Sequence, residues 1–149
     1  MTKLLLHGRF AGHSNPKNDP FYKEMIRGLS GAVKVLLVFF AKKNEEHERL
    51  YNEVTSNFLR NADGQEFDFS IATKDEFEGQ LKDADIIYLQ GGTTSRLISD
   101  LKGCPRFQEL VKGKVVAGES AGAYALSTCF YSKREGGLYG GLGMTPTKV

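Results

Sequence analysis

The run Val115-Val116-Ala117-Gly118-Glu119-Ser120-Ala121-Gly122-Ala123 fences a serine with a glycine two places away on either side, directly after β-branched residues. A hydroxyl in that frame can serve as a nucleophile, because G-x-S-x-G holds the serine on a sharp, strained strand-to-helix turn with its oxygen outward. The helix that follows aims its dipole and free N–H groups at the same point. The Ala121 N–H is therefore a natural oxyanion donor. Five residues alone also fit a compact turn without chemistry. The apolar run before them and the helical "AYALS" after them supply the context an elbow needs.

A second donor is suggested by Gln90-Gly91-Gly92-Thr93-Thr94, which closes another apolar run. Glycine lets the main chain approach a substrate closely and take positive φ, so Gly91 and Gly92 are candidates. One such donor is worth roughly 3 kcal/mol of barrier. Thr93 and Thr94 read as substrate-binding residues, or simply as a cap for the next helix or a phosphate-cradling loop.

A serine hydroxyl needs a base, and the base an orienting acid. The histidines are His7, His13 and His47. His7 ends the first apolar run, at the edge where a site would form, and is either a substrate-binding or a packing residue. His13 sits in the loop "AGHSNPKN", and His47 in a charged helical stretch where solvation is expected. The nearby acids are Glu119, which points either into the pocket as a substrate-binding residue or into packing beside the sheet, and Glu135. Glu135 returns toward the active edge or lies on the surface.

Short apolar runs alternating with helical patterns predict strand-helix units and an α/β fold: a mostly parallel sheet flanked by helices on both faces. Strands are expected at 4–7, 33–40, 67–72, 85–89 and 114–117, and helices at 20–29, 74–81, 94–101 and 105–111. Between the second and third strands Asn44 caps a further helix, with Leu50, Val54 and Phe58 on its buried face. Past Phe130 the glycine-rich text predicts loops and at most short strands. Ligands bind beyond the carboxyl ends of parallel strands. The loops at His7-Gly8, at 90–94 and at 118–120 should then face one another.

The 149 residues suit one domain over 1–149. A formal charge of +2 gives no electrostatic reason to expect nucleic acid or a membrane surface as partner. Cys104 and Cys129 lack CxxC spacing, which fits a reducing cytoplasm and no zinc site, with Cys129 a packing residue. The apolar run "VLLVFFA" is too short to span a bilayer, and the N-terminus too weakly apolar for a signal peptide.

"YLQGGTTSRLISDL", then "KVVAGESAGAYAL", then "GGLGM" resembles the aspartyl dipeptidase (peptidase E) and cyanophycinase family of serine peptidases. That family's signature is a Gly-Gly-(Asn/Thr)-Thr loop, a leucine-bearing helix, G-x-S-A-G-A and then a G-L-G segment. The resemblance covers nearly the whole chain. It implies a flavodoxin-like fold related to class I glutamine amidotransferases, and a Ser-His-Glu/Asp triad. On the matching positions Ser120 is the nucleophile, Gly91 and Ala121 are oxyanion donors, and Glu135 is the acid.

The family's histidine follows the G-L-G segment, commonly in a Pro-His-Tyr-like context, whereas this sequence reads "GLGMTPTKV". The expectation is a shortened member without the base-bearing C-terminal piece; substitution by an earlier histidine, or lost catalysis, are the alternatives. The expected function is a cytoplasmic serine hydrolase that cleaves an amide bond of a small peptide or other amide substrate through an acyl-enzyme, with no metal or organic cofactor. The family implies cleavage after Asp, for which Arg9, Lys42 and Arg96 are the candidate cations. A homodimer is left open. The competing expectation is a catalytically inactive amidotransferase-like binding module.

Overall fold

Strands apolar at successive rather than alternate positions must be buried on both faces. Ile86–Leu89 and Val115–Glu119 are buried at every position. The computed structural model describes residues 1–12 and 14–149. It places β1 (Lys3–His7), β2 (Ala32–Val38), β3 (Glu66–Ile71), β4 (Ile86–Leu89) and β5 (Val115–Glu119) in one wholly parallel sheet, ordered β1-β5-β4-β2-β3. Apart from β1, which occupies an edge, this is the strand order of a flavodoxin-like sheet.

Parity along the strands divides the core. Val33, Val35, Leu37, Ile86, Tyr88, Val115 and Ala117 belong to one cluster, with Phe21, Tyr22 and Met25 of α1 (Asp19–Ile26) and Leu50, Val54 and Phe58 of α2 (His47–Arg60). Leu36, Val38, Ile87, Leu89 and Val116 face the other way. There they pack with α3 (Phe77–Asp83), α4 (Thr94–Lys102), α5 (Phe107–Leu110) and α6 (Ala121–Leu126). Both faces are thus covered by helices, as the alternating pattern predicts.

The boundaries differ where local hydrogen bonds decide them. β2 stops before Phe39, whose carbonyl accepts the Lys42 N–H in a turn. β5 runs two residues past the expected end, because His7 and Glu119 still pair across β1 and β5. Asn44 does not cap α2: a 3-10 turn, Asn44–Glu46, precedes it, and Glu46 Oε2 accepts the Lys43 N–H at 3.3 Å instead. Around Pro105 a turn closed by Phe107 N–H to Cys104 O delays α5 to Phe107.

Beyond α6 lie β6 (Cys129–Ser132) and β7 (Gly137–Gly140), an antiparallel hairpin. The glycine-rich segment after it closes over the end of α6. Leu142, Met144 and Gly143 donate their N–H groups to Ala125, Leu126 and Ser127 carbonyls at 2.7, 3.0 and 2.9 Å. A helix end leaves such carbonyls unsatisfied, and here G-L-G-M satisfies them. Gly141 has no room for a Cβ, which would meet the Ser127 and Tyr124 carbonyls. Among the described residues no helix is long and apolar enough to cross a membrane.

Candidate active site

Ser120 joins β5 to α6 with φ 53° and ψ −109°. Such a backbone at a residue with a side chain costs about 1–3 kcal/mol and persists only where its surroundings hold it. The two glycines explain how. A Cβ on Gly118 would run into the Gly122 carbonyl, and a Cβ on Gly122 would run into the Leu89 carbonyl of β4. Strand and helix approach too closely for side chains, so the chain must reverse at Ser120. The Ser120 N–H donates to His7 O at 2.8 Å, fixing the turn to β1.

Gly91 lies against the serine: a Cβ there would sit 3.0 Å from Ser120 Cβ and 3.6 Å from Oγ. Gly92 has φ 152° and presses on Ala41, whose carbonyl a side chain would strike. Among the described residues the N–H groups of Gly91, Gly92 and Ala121 have no backbone acceptor. Thr93 holds the N-cap position of α4, yet its hydroxyl makes no capping hydrogen bond. Its N–H is bound to Ala41 O at 2.9 Å.

Ser120 is half-buried and lines a cleft of about 350 Å³ together with Gly92, Thr93, Thr94, Ala121 and Glu135. Glu135 lies in the β6–β7 turn, its N–H donating to Ser132 Oγ at 3.1 Å. The hairpin also brings Lys133 and Arg134 to the cleft. Arg9, Lys42 and Arg96 do not line it. Lys42 Nζ is 4.0 Å from Glu46 Oε1, and Arg96 is exposed on α4.

His7 and Glu119 fall elsewhere. Odd-numbered residues of β5 face α1 and α2, so Glu119 turns toward Tyr88 rather than into the serine's cleft. Only 5% exposed, it accepts a hydrogen bond from the Tyr88 hydroxyl, and its Oε1 is 3.0 Å from Arg9 Nε. Burial pushes the Tyr88 hydroxyl well above its ordinary pKa, and raises that of Tyr22 beside it. Both phenols therefore stay protonated and able to donate. His7 Nε2 lies 2.9 Å from Asn18 Oδ1, and the ring stacks on Phe21. His7, Arg9, Tyr88, Gln90 and Glu119 surround a separate small cavity of about 10 Å³.

Among the described residues no imidazole lines the Ser120 cleft. His47 is half-buried rather than solvated, packed on Phe39 with Nε2 3.4 Å from Lys42 O. His13 lies outside the described residues. Cys129 begins β6, half-buried and away from the cleft.

The model of peptidase family S51 matches residues 4–147. The chain belongs to peptidase family S51. A Listeria monocytogenes EGD-e protein put forward as a peptidase E, solved at 1.5 Å, is similar to this S51 chain with TM-score 0.64 and 26% identity, over 87% of this chain and 63% of its own. A peptidase from an acI-B1 Actinobacterium is similar with TM-score 0.68 and 26% identity, over 95% of this chain and 64% of its own. The S51 chain thus spans just under two thirds of the length of these structures. A comparison with curated proteins returns no match. Among the described residues of the S51 chain no three His, Cys, Asp or Glu side chains gather as metal ligands would.

Lys133, Arg134 and Tyr88 were not singled out in the sequence, and neither was the pairing of Arg9 with Glu119. Lys133 and Arg134 were hidden in a segment without helical period, which gave no sign that a hairpin would fold it back on Ser120. The Arg9–Glu119–Tyr88 cluster had a readable sign: Glu119 shares the parity of Val115 and Ala117, and Tyr88 that of Ile86.

Proposed function

We propose that this chain carries the nucleophile of a serine hydrolase that cleaves an amide bond of a small peptide through an acyl-enzyme on Ser120. Ser120 Oγ attacks the carbonyl carbon, and the oxygen that becomes negative is met by the Gly91 and Ala121 N–H groups. Collapse expels the amine, which takes up a proton, and water then attacks the ester to release the acid and restore the hydroxyl. Gly92 is the alternative donor in the same loop. Glu135 is the acid partner, and the resemblance assigns the base to a histidine beyond the G-L-G segment. Thr93 and Thr94 bind substrate at the cleft wall. Lys133 and Arg134 supply the positive charge that cleavage after Asp calls for, in place of Arg9, Lys42 and Arg96.

One observation carries this reading. Ser120 sits at positive φ with Gly91 packed against its side chain, on a cleft it shares with Glu135. A fluorophosphonate applied to the full gene product should label the wild type and leave Ser120→Ala unlabelled. Equal labelling of the two would remove the nucleophile assignment. A second reading, a binding module that keeps the turn without catalysis, is favoured by the lack of an imidazole on the cleft among the described residues. It predicts no labelling of either form, together with saturable binding of peptides that emerge uncleaved.

A further inference from the structure

Among the described residues three non-glycine residues have positive φ: Arg9 at 64°, Asp63 at 47° and Ser120 at 53°. Arg9 follows β1 and Ser120 follows β5, adjacent strands that pair His7 with Glu119. Glu119 directly precedes Ser120, and its side chain reaches Arg9 and Tyr88. Its Oε1 lies 3.0 Å from Arg9 Nε, and its Oε2 accepts from the Tyr88 hydroxyl. A buried carboxylate is costly unless it is paired and hydrogen-bonded. At 5% exposure Glu119 has a hydrogen bond at Oε2 and the Arg9 guanidinium beside Oε1, although among the described residues Oε1 has no hydrogen-bond partner.

The loop that brings Arg9 back is itself pinned. Asn18, also 5% exposed, accepts the Phe10 N–H at 2.9 Å and donates to Phe10 O at 3.1 Å, while touching His7 Nε2 at 2.9 Å. The residue next to Arg9 is therefore held through both its backbone groups. Gln90, whose Oε1 is buried and among the described residues has no hydrogen-bond partner, lines the same small cavity just before Gly91.

We propose that Arg9, Glu119 and Tyr88 form a clamp that positions Ser120 Oγ against Gly91, an inference that rests on Ser120 being the nucleophile. Each member belongs to a different strand end: Arg9 to β1, Glu119 to β5, and Tyr88 to β4, which leads into Gly91. The clamp sets the spacing between the donor that follows β4 and the nucleophile that follows β5. None of the three lines the serine's cleft, so they are positioning residues and not catalytic ones.

The test compares fluorophosphonate capture at Ser120 in wild type, Glu119→Gln, Arg9→Ala and Arg9→Lys, with thermal midpoints and a crystal structure of Glu119→Gln. Displacing a reacting atom by about 1 Å can cost about a hundredfold in rate, so capture should slow by about ten- to a hundredfold in Glu119→Gln and Arg9→Ala. Arg9→Lys, which keeps the cation, should recover most of that loss, and the order of rates should not follow the order of midpoints. In the crystal, Ser120 should leave its left-handed backbone or draw its Oγ away from Gly91. Unchanged capture in Glu119→Gln with Ser120 unmoved would overturn the clamp. If the wild type is never captured at Ser120, the nucleophile reading fails by itself, and the position of Ser120 in Glu119→Gln still decides whether the clamp exists. Should Glu119→Gln fail to fold, Tyr88→Phe, which deletes one oxygen, carries the same comparison.

Discussion

Gly122 of α6 rests directly on Leu89 of β4, so close that a Cβ would meet the Leu89 carbonyl and come within 2.9 Å of the Leu89 side chain. This contact explains the second glycine of G-x-S-x-G: the helix must lie on the neighbouring strand for the turn at Ser120 to close. Gly122→Ala should destabilise the protein by about 1–3 kcal/mol, as overpacking of a close contact does. Urea unfolding monitored by circular dichroism measures it, and a change within experimental error would contradict the close packing.

Gly91→Ala separates site from fold. The added methyl would lie 3.0 Å from Ser120 Cβ and 3.1 Å from Glu119 O, crowding the space where a substrate carbonyl would bind. Alanine keeps the backbone N–H, so capture of a fluorophosphonate should fall through displaced geometry, by up to about a hundredfold for a shift of about 1 Å. The unfolding midpoint should fall less than in Gly122→Ala, because the methyl would meet backbone at 3.1 Å here and at 2.3 Å there, and φ at Gly91 is not positive.

Charge on the hairpin should govern which peptides bind. Lys133 and Arg134 line the serine's cleft, so replacing both with alanine should raise KM for peptides with an acidic residue at the cleaved bond. The values for neutral peptides should stay unchanged. A rise common to both would assign the effect to the hairpin's shape rather than to its charge.

Stability should depend on pH through Asp19. The hydrogen bond from Arg60 holds the Asp19 carboxyl below its ordinary pKa, assisted by Asn61 and against partial desolvation. A depressed carboxylate stabilises the fold above its unfolded pKa, and that stability is lost as pH falls through the lower folded value. Asp19→Asn should therefore lower stability near neutral pH, by at most about 1 kcal/mol because the pair is partly open to solvent. The difference should vanish in acid once both states are protonated. Thermal midpoints of the two proteins across this range provide the check.

The layers of the fold were legible because buried parallel strands spell themselves out as continuous apolar runs, and α2 because Leu50, Val54 and Phe58 recur at helical spacing. The ends were harder. Whether β5 stops at Ala117 or at Glu119 depends on the pairing of His7 with Glu119, a contact more than a hundred residues distant in sequence. The small residues around Ser120 could be read because close approach of backbones demands glycine. The face on which Glu119 lies could be read from its parity with Val115 and Ala117, but its partners could not, since Arg9 and Tyr88 lie far from it in sequence.

A crystal structure of the protein after reaction with a fluorophosphonate shows whether Ser120 is the nucleophile. Phosphorus should be bonded to Ser120 Oγ, with the phosphonyl oxygen about 2.7–3.1 Å from the Gly91 and Ala121 nitrogens. An adduct on another residue, or an oxygen turned away from both nitrogens, would contradict it.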